Sequence, residues 1–169
     1  KRQHVIGQGT AAIAGRSLAR LLAGMVGDRL RVDALPATEL SGFGLALDMR
    51  DTLVVAISQS GTTTDTNRTV DLARQRGATV LAIVNRRGSE LAAKADGVMY
   101  TSDGRDVEMS VASTKAFYAQ VVAGALYACA IAEASGAGDP ADRHGLLVAL
   151  RALPAAMGEV LALRPEIAD

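Results

Sequence analysis

The sequence predicts an α/β fold with three layers, in which helices cover both faces of a five-stranded parallel sheet. Short apolar runs alternate with longer amphipathic stretches along the 169 residues. Two of the runs, residues 52–58 and 78–85, are almost continuously apolar, which is typical of central strands buried on both faces. Because strands and helices that alternate in this way join through right-handed crossovers, the expected strand order is 2-1-3-4-5.

The first half of the chain supplies three of these strands. Residues 4–7 predict the first strand, and residues 11–26 predict a helix because Leu18, Leu21 and Leu22 recur at helical spacing. Residues 29–35 alternate polar and apolar side chains, as an edge strand does. Residues 37–47 are expected to form a short helix before the central strand at 52–58.

The second half of the chain continues the alternation. We expect a helix over residues 63–77 that Gly77 closes, the strand at 78–85, a short helix at 89–95 and a last strand at 97–101. A long apolar helix is predicted over 114–134 and a final helix over 141–163, which either tolerates Pro154 or kinks there. The segment 136–140 is the one linker-like break.

Composition excludes several classes of protein. The 18 basic and 18 acidic residues cancel, and no basic stripe suggests a nucleic-acid partner. With one cysteine and two histidines, no disulfide, metal centre or cofactor is expected, and the lone cysteine suits a cytoplasmic protein. Residues 116–132 approach the length of a membrane span, but we interpret them as a buried helix, with Tyr127 and Cys129 in the core and His144 on the surface.

Two polar loops are expected to meet at one edge of the sheet. The loop at 7–12 follows the first strand and the loop at 58–64 follows the third, which is its neighbour in the predicted order. The helix after the second loop has Thr62 as a candidate N-cap, with Asp65 at capping-box spacing. Its free backbone N–H groups and its dipole favour an anion at this edge.

The second loop has the composition of a phosphate-binding site. Ser58, Gln59, Ser60 and Thr63 are neutral donors, and Gly61 allows close approach of the backbone. Hydrogen bonds to a charged group contribute roughly 1.5–3 kcal/mol each, so several together can hold a dianion without lysine or arginine. The alternative is a turn rich in hydroxyls that only caps a helix.

Other binding motifs fit less well. The stretch GQGTAA at 7–12 matches the loose dinucleotide pattern G-x-G-x-x-A, but the acidic residue expected after the second strand is missing, since Asp33 comes too early. Neither glycine loop continues as a Walker A motif, and there is no G-x-S-x-G nucleophile elbow.

A third polar loop, residues 103–114, follows the last strand. Glu108 is its only carboxylate with apolar neighbours, which makes it a candidate proton shuttle. The alternative is an ion pair of Glu108 with Arg105 or Lys115.

Three stretches resemble a known family. SQSGTTTDT at 58–66 resembles the S-Q-S-G-E-T-x-D-T loop of the sugar isomerase (SIS) domain. VASTKAF at 111–117 and GQGTAAIAG at 7–15 resemble segments of the first SIS domain in the glucosamine-6-phosphate synthase family, the glutamine:fructose-6-phosphate aminotransferases. The resemblance runs from about Val5 to Ile131, and the fold that it implies is flavodoxin-like, with the strand order given above.

The resemblance implies roles for individual residues. Ser58, Gln59, Ser60 and Thr63 would bind a sugar phosphate, with Ser60 and Thr63 closest to the phosphoryl oxygens. The sugar would lie against a set of residues from the third loop, namely Val111, Ala112 and Ser113. Thr10 would support the first loop.

Two positions depart from the family pattern. Ala11 stands where the family has serine, which removes a hydroxyl from the sugar site. Thr62 replaces the glutamate that follows S-Q-S-G, a mild change because threonine also caps helices.

From the resemblance we expect a domain of a larger aminotransferase that binds fructose 6-phosphate or glucosamine 6-phosphate. Residues 1–136 would form the SIS domain, and residues 137–169 a connector to a second SIS domain that holds most catalytic groups. The 169 residues alone would bind and not turn over. We expect the long apolar helix at 114–134 to contact either that second domain or a second copy of the chain in a homodimer. The alternatives are a sugar-phosphate-sensing regulatory domain and a related aminosugar-phosphate deaminase or deglycase.

Overall fold

A computed structural model describes residues 1–103 and 114–167 of the chain. It contains five strands: β1 (Arg2–Gly7), β2 (Arg31–Pro36), β3 (Thr52–Ser58), β4 (Thr79–Val84) and β5 (Gly97–Tyr100). Its α-helices are α1 (Thr10–Val26), α2 (Ala37–Glu39), α3 (Thr64–Gln75), α4 (Glu90–Lys94), α5 (Lys115–Ala134), α6 (Pro140–Ala162) and α7 (Arg164–Ile167). A 3₁₀ turn follows α1 at Gly27–Arg29, and a π-helix follows α2 at Leu40–Gly44.

The five strands form one parallel sheet in the order β2-β1-β3-β4-β5, which confirms the predicted topology. In the register of β1 and β3, Ile6 lies opposite Ala56, so both strands end at the same edge. Ser58 lies opposite Val84, so β4 also ends there. The loops that leave β1, β3 and β4 therefore share the carboxyl edge of the sheet.

Two hydrophobic clusters pack on opposite faces of the sheet. One joins β1, β3 and β4 to α1 and α5 through Val5, Leu22, Val55 and Ala128. The other covers the second face and joins the sheet to α2, α3 and α4, with Val70 and Leu91 fully buried. The central strands alternate between the clusters, which explains why residues 52–58 are apolar on both faces.

The long apolar helix α5 lies in the core of the first face. Tyr127 and Cys129 are buried, as expected, and the Tyr127 hydroxyl donates to Gln3 Oε1 at 2.9 Å. Burial raises the pKa of that hydroxyl, against the effect of the hydrogen bond. Gly124 brings α5 against α1, because a Cβ there would lie 3.0 Å from Leu18 Cβ.

By length and composition alone, α5 and α6 are each long enough and apolar enough to cross a membrane. Half of the most apolar window of α5 is buried within the protein, as in a core helix.

The chain divides into two compact units, Lys1–Ala137 and Gly138–Asp169. In the second unit, Asp139 caps α6 by accepting from the N–H of Ala141 at 2.8 Å. The helix continues through Pro154, and His144 is exposed on it as predicted. Several large apolar side chains of α6 are also exposed: Val148, Leu153, Met157, Val160 and Leu161.

Candidate functional site

Two loops lie side by side at the carboxyl edge of the sheet. One joins β1 to α1, and the other, the β3–α3 loop, comprises residues 58–63. The first turns of α1 and α3 therefore both begin at this edge. A long hydrogen bond of 3.5 Å from Gln8 Nε2 to Asp65 Oδ2 connects the two sides.

Hydroxyl groups organise the β3–α3 loop from within. Ser58 Oγ accepts from the N–H of Gly61 at 3.0 Å and lies 3.4 Å from Thr63 Oγ1. Ser60 Oγ accepts twice from Thr62, from the backbone N–H at 3.2 Å and from the hydroxyl at 3.0 Å. The Ser60 oxygen acts as an acceptor in both bonds, so its own hydrogen remains to be donated.

The predicted cap of α3 is wrong. The N-cap is Thr63 rather than Thr62, and the Thr63 side chain forms no capping hydrogen bond with this helix. Gly61 turns the chain with φ at +66°, and the Thr62 hydroxyl is used by Ser60 before the helix begins. The first-turn N–H groups of α3 are consequently not capped by Thr63, and the positive end of the helix dipole lies at the edge.

Gly61 is closely packed and hydrogen-bonded within the β3–α3 loop. A Cβ at this position would lie 2.2 Å from Ser89 Oγ and 3.0 Å from Val84 Cγ2. The Gly61 carbonyl accepts from Asn67 Nδ2 at 3.1 Å and from the Leu91 N–H at 3.0 Å. Both the left-handed conformation and the close packing therefore require glycine here.

Asn67 is a supporting residue that the sequence analysis missed. Its side-chain amide is buried and donates to the carbonyls of Gly61 and Thr63, both at 3.1 Å. The residue lies on the buried face of α3 with Val70 and Ala73. An amide side chain on the buried face of a helix, one turn after a polar loop, is the signal that would have indicated it.

The segment after β4 holds the other side of the β3–α3 loop. The Gln59 carbonyl accepts from the N–H groups of both Asn85 and Arg86, each at 3.3 Å. Farther along, α4 is fixed on α3, since Lys94 Nζ donates to Asp71 at 2.6 Å and to Glu90 at 2.7 Å. Burial alone would lower the pKa of Lys94, but these hydrogen bonds outweigh it and raise the pKa.

In the β1–α1 loop, Gly9 turns with φ at +57° and Thr10 begins α1 at an exposed position. A Cβ on Gly7 would lie 2.9 Å from the carbonyl carbon of Ala11, so glycine lets the helix start close to the strand. The first turn of α1 contains no acidic residue, and Ala11 is buried.

The structure brings five predicted site residues to this edge: Thr10, Ser58, Gln59, Ser60 and Thr63. Ser58 is buried, and Thr63 is partly exposed. The remaining predicted residues, Val111, Ala112, Ser113 and Glu108, lie outside the described residues, as does Arg105. Within residues 1–103 and 114–167, no group of three histidine, cysteine or carboxylate side chains is arranged to hold a metal ion.

The fold and this edge together define a doubly wound α/β domain with two polar loops at the switch point of its sheet. The family model of the SIS domain matches residues 1–130. The chain belongs to the SIS domain family, as its motifs indicated.

Relatives place the domain more closely within that family. The chain is 45% identical to the isomerizing glutamine–fructose-6-phosphate aminotransferase of Symbiobacterium thermophilum, over 70% of this chain and 19% of that protein. It is 40% identical to the Thermus thermophilus protein of the same name, over 99% of this chain and 27% of that one. The chain thus spans about a fifth to a quarter of the length of these curated relatives.

A solved structure supports the same placement. The C-terminal domain of glucosamine-fructose-6-phosphate aminotransferase from Francisella tularensis superposes with a TM-score of 0.84 at 27% identity. The match covers 99% of this chain and 46% of that one. The five-stranded sheet and its helices are therefore those of an SIS domain.

Proposed function

We propose that this domain binds a phosphorylated sugar, fructose 6-phosphate or glucosamine 6-phosphate, as one part of a larger aminotransferase that forms or uses the aminosugar. The observation that carries the proposal is the β3–α3 loop, in which hydroxyl groups lie at the start of α3 next to first-turn N–H groups that Thr63 does not cap. A tetrahedral dianion matches such a set of converging neutral donors.

In this proposal Ser60 and Thr63 donate to the phosphoryl oxygens, and Gln59 and Ser58 complete the cradle. Thr10 lies across the edge at the start of α1, whose first turn carries no carboxylate to repel the ligand. Val111, Ala112 and Ser113 would contact the sugar. The names of the relatives support the ligand class, because both curated proteins are called fructose-6-phosphate aminotransferases.

The test is a pair of titrations followed by calorimetry, with glucosamine 6-phosphate and with glucosamine. We expect the phosphorylated sugar to bind at least ten-fold more tightly. Ser60→Ala should weaken binding of the phosphorylated sugar about ten-fold or more, because one hydrogen bond to a charged group is removed. Ser17→Ala is the matched control, since this exposed serine lies on α1 and its hydroxyl donates to the carbonyl of Ile13 in the same helix. Equal affinities for the two sugars would contradict the phosphate site.

We further propose that the chemistry requires residues beyond these 169. The chain spans less than a third of each curated relative, so isomerisation and nitrogen transfer would depend on other parts of a longer protein. Glu108 remains the candidate proton shuttle within this sequence. A turnover assay of the purified chain should therefore show binding without product, and product formation by the chain alone would overturn this assignment.

The C-terminal segment 137–169 is proposed as a connector to a second SIS domain, which the Francisella structure supports because this chain matches less than half of it. Contact with that domain or with a second copy of the chain, expected for α5, stays a proposal, and the exposed apolar side chains of α6 are a second candidate surface for it. A cytoplasmic location belongs to the same proposal, and a buried, unpaired Cys129 is compatible with it. Fractionation that recovers the protein in a secreted or membrane fraction would contradict that location.

A further inference from the structure

The β3–α3 loop contains no cationic side chain, although it is proposed to hold a dianion. The ionisable residue in the first turn of α3 is Asp65, a carboxylate. A negative charge at this position interacts favourably with the helix dipole, but it repels a bound anion. A cationic side chain close to this loop would therefore strengthen the attraction for a dianion.

The segment after β4 brings arginine to the β3–α3 loop. The backbone N–H of Arg86 donates to the Gln59 carbonyl at 3.3 Å, so the Arg86 backbone lies directly against the loop. The side chain of Arg86 is exposed. Within the described part of the chain, no carboxylate lies within ion-pair distance of it.

The side chain of the neighbouring Arg87 already has partners within the protein. Its guanidinium stacks on the ring of Tyr100, with 4.2 Å from Cζ to the ring centre, and its Nε donates to the Asp103 carbonyl at 3.3 Å. Arg87 therefore fixes the position of the segment on β5 and adds a second positive charge near the edge. Among residues 1–103 and 114–167, no carboxylate pairs with the Arg86 guanidinium and so competes with a ligand for it.

We propose that Arg86 is a specificity-determining residue, which favours a dianionic sugar phosphate over a monoanionic or neutral sugar at the β3–α3 loop. The inference rests on the proposed function and deepens it. Hydroxyl and amide donors recognise the shape of the phosphoryl group, whereas an arginine whose backbone lies against the loop adds an attraction that depends on the charge of the ligand. The neutral donors and Arg86 thus divide recognition between geometry and charge.

The experiment measures the dissociation constants of glucosamine 6-phosphate and of its monoanionic analogue, glucosamine 6-sulfate, for the wild type and for Arg86→Gln. We expect Arg86→Gln to weaken phosphate binding about two- to five-fold at low ionic strength, the range of an exposed ion pair. Binding of the sulfate should weaken less, so the preference for phosphate falls. At roughly 0.5 M salt, the loss of phosphate affinity caused by Arg86→Gln should shrink because the ions screen the charge of the arginine.

Arg20→Gln is the matched control, because it removes the same charge from an exposed position on α1, well away from the start of that helix. The control should leave both dissociation constants unchanged. If Arg86→Gln weakens the two ligands equally, or changes neither, the inference is overturned while the phosphate site stands. If the wild type fails to prefer glucosamine 6-phosphate over glucosamine, the proposed function itself falls, and the inference with it.

Discussion

Replacing Gly61 by alanine tests how the β3–α3 loop is built. The glycine has φ at +66°, and an alanine forced into that conformation costs about 1–2 kcal/mol. The new Cβ would also lie 2.2 Å from Ser89 Oγ and 2.5 Å from Ser89 Cβ, a clash of the kind that costs roughly 1–3 kcal/mol in a packed core. Gly61→Ala should therefore lower the free energy of unfolding by about 2–5 kcal/mol.

Gly88 provides a matched control in the same region. Its φ is +65°, but nothing lies within 4 Å of a Cβ placed there. Gly88→Ala should cost only the conformational part, about 1–2 kcal/mol. The difference between the two variants isolates the contact with Ser89, and adding Ser89→Gly to Gly61→Ala should recover part of it.

Urea unfolding followed by circular dichroism gives the free energies for this comparison. Equal losses for Gly61→Ala and Gly88→Ala would refute the packing argument. So would a failure of Ser89→Gly to restore any stability to the Gly61 variant, since Ser89 supplies the two closest contacts.

Two further predictions concern other parts of the chain. Burial lowers the pKa of His4 below its ordinary 6.5, against the attraction of Asp33. The unfolded chain then binds this proton more tightly, so the free energy of unfolding should fall as pH drops below 6.5 and stay level above it. His4→Gln should flatten that slope in urea titrations and His144→Gln should retain it; an unchanged slope in the first variant would exclude His4 as the cause. On α6, Met157 and Leu161 lie one turn apart and are 61% and 68% exposed. If α6 forms a homodimer contact, glutamate at both positions should abolish self-association in sedimentation velocity, whereas a wild type that stays monomeric at high concentration would rule the homodimer out.

The architecture could be predicted from the sequence because it depends on the apolar or polar character of each residue and on its spacing along the chain. Continuous apolar runs mark β3 and β4 as central strands, and alternation marks β2 as an edge strand. Right-handed crossovers then leave one natural order for the sheet. Gly77, with φ at +90°, ends the turn after α3 where a glycine was expected to do so.

The details of the loop were harder to predict, because several hydroxyls compete for the same partners. Thr62 and Thr63 are equally good capping residues by type, and Ser60 decides between them by accepting the Thr62 hydroxyl. Asn67 was missed because a polar residue in a helix is usually exposed. Its two bonds, to the carbonyls of Gly61 and Thr63, depend on a turn geometry that no spacing rule encodes.

The Gly61 carbonyl is the meeting point of three segments of the chain: the β3–α3 loop, Asn67 of α3 and Leu91 of α4. This junction forms when the protein folds, so the loop has its shape before any ligand arrives. A preorganised loop loses little conformational entropy on binding, and no ordering of this segment should slow association.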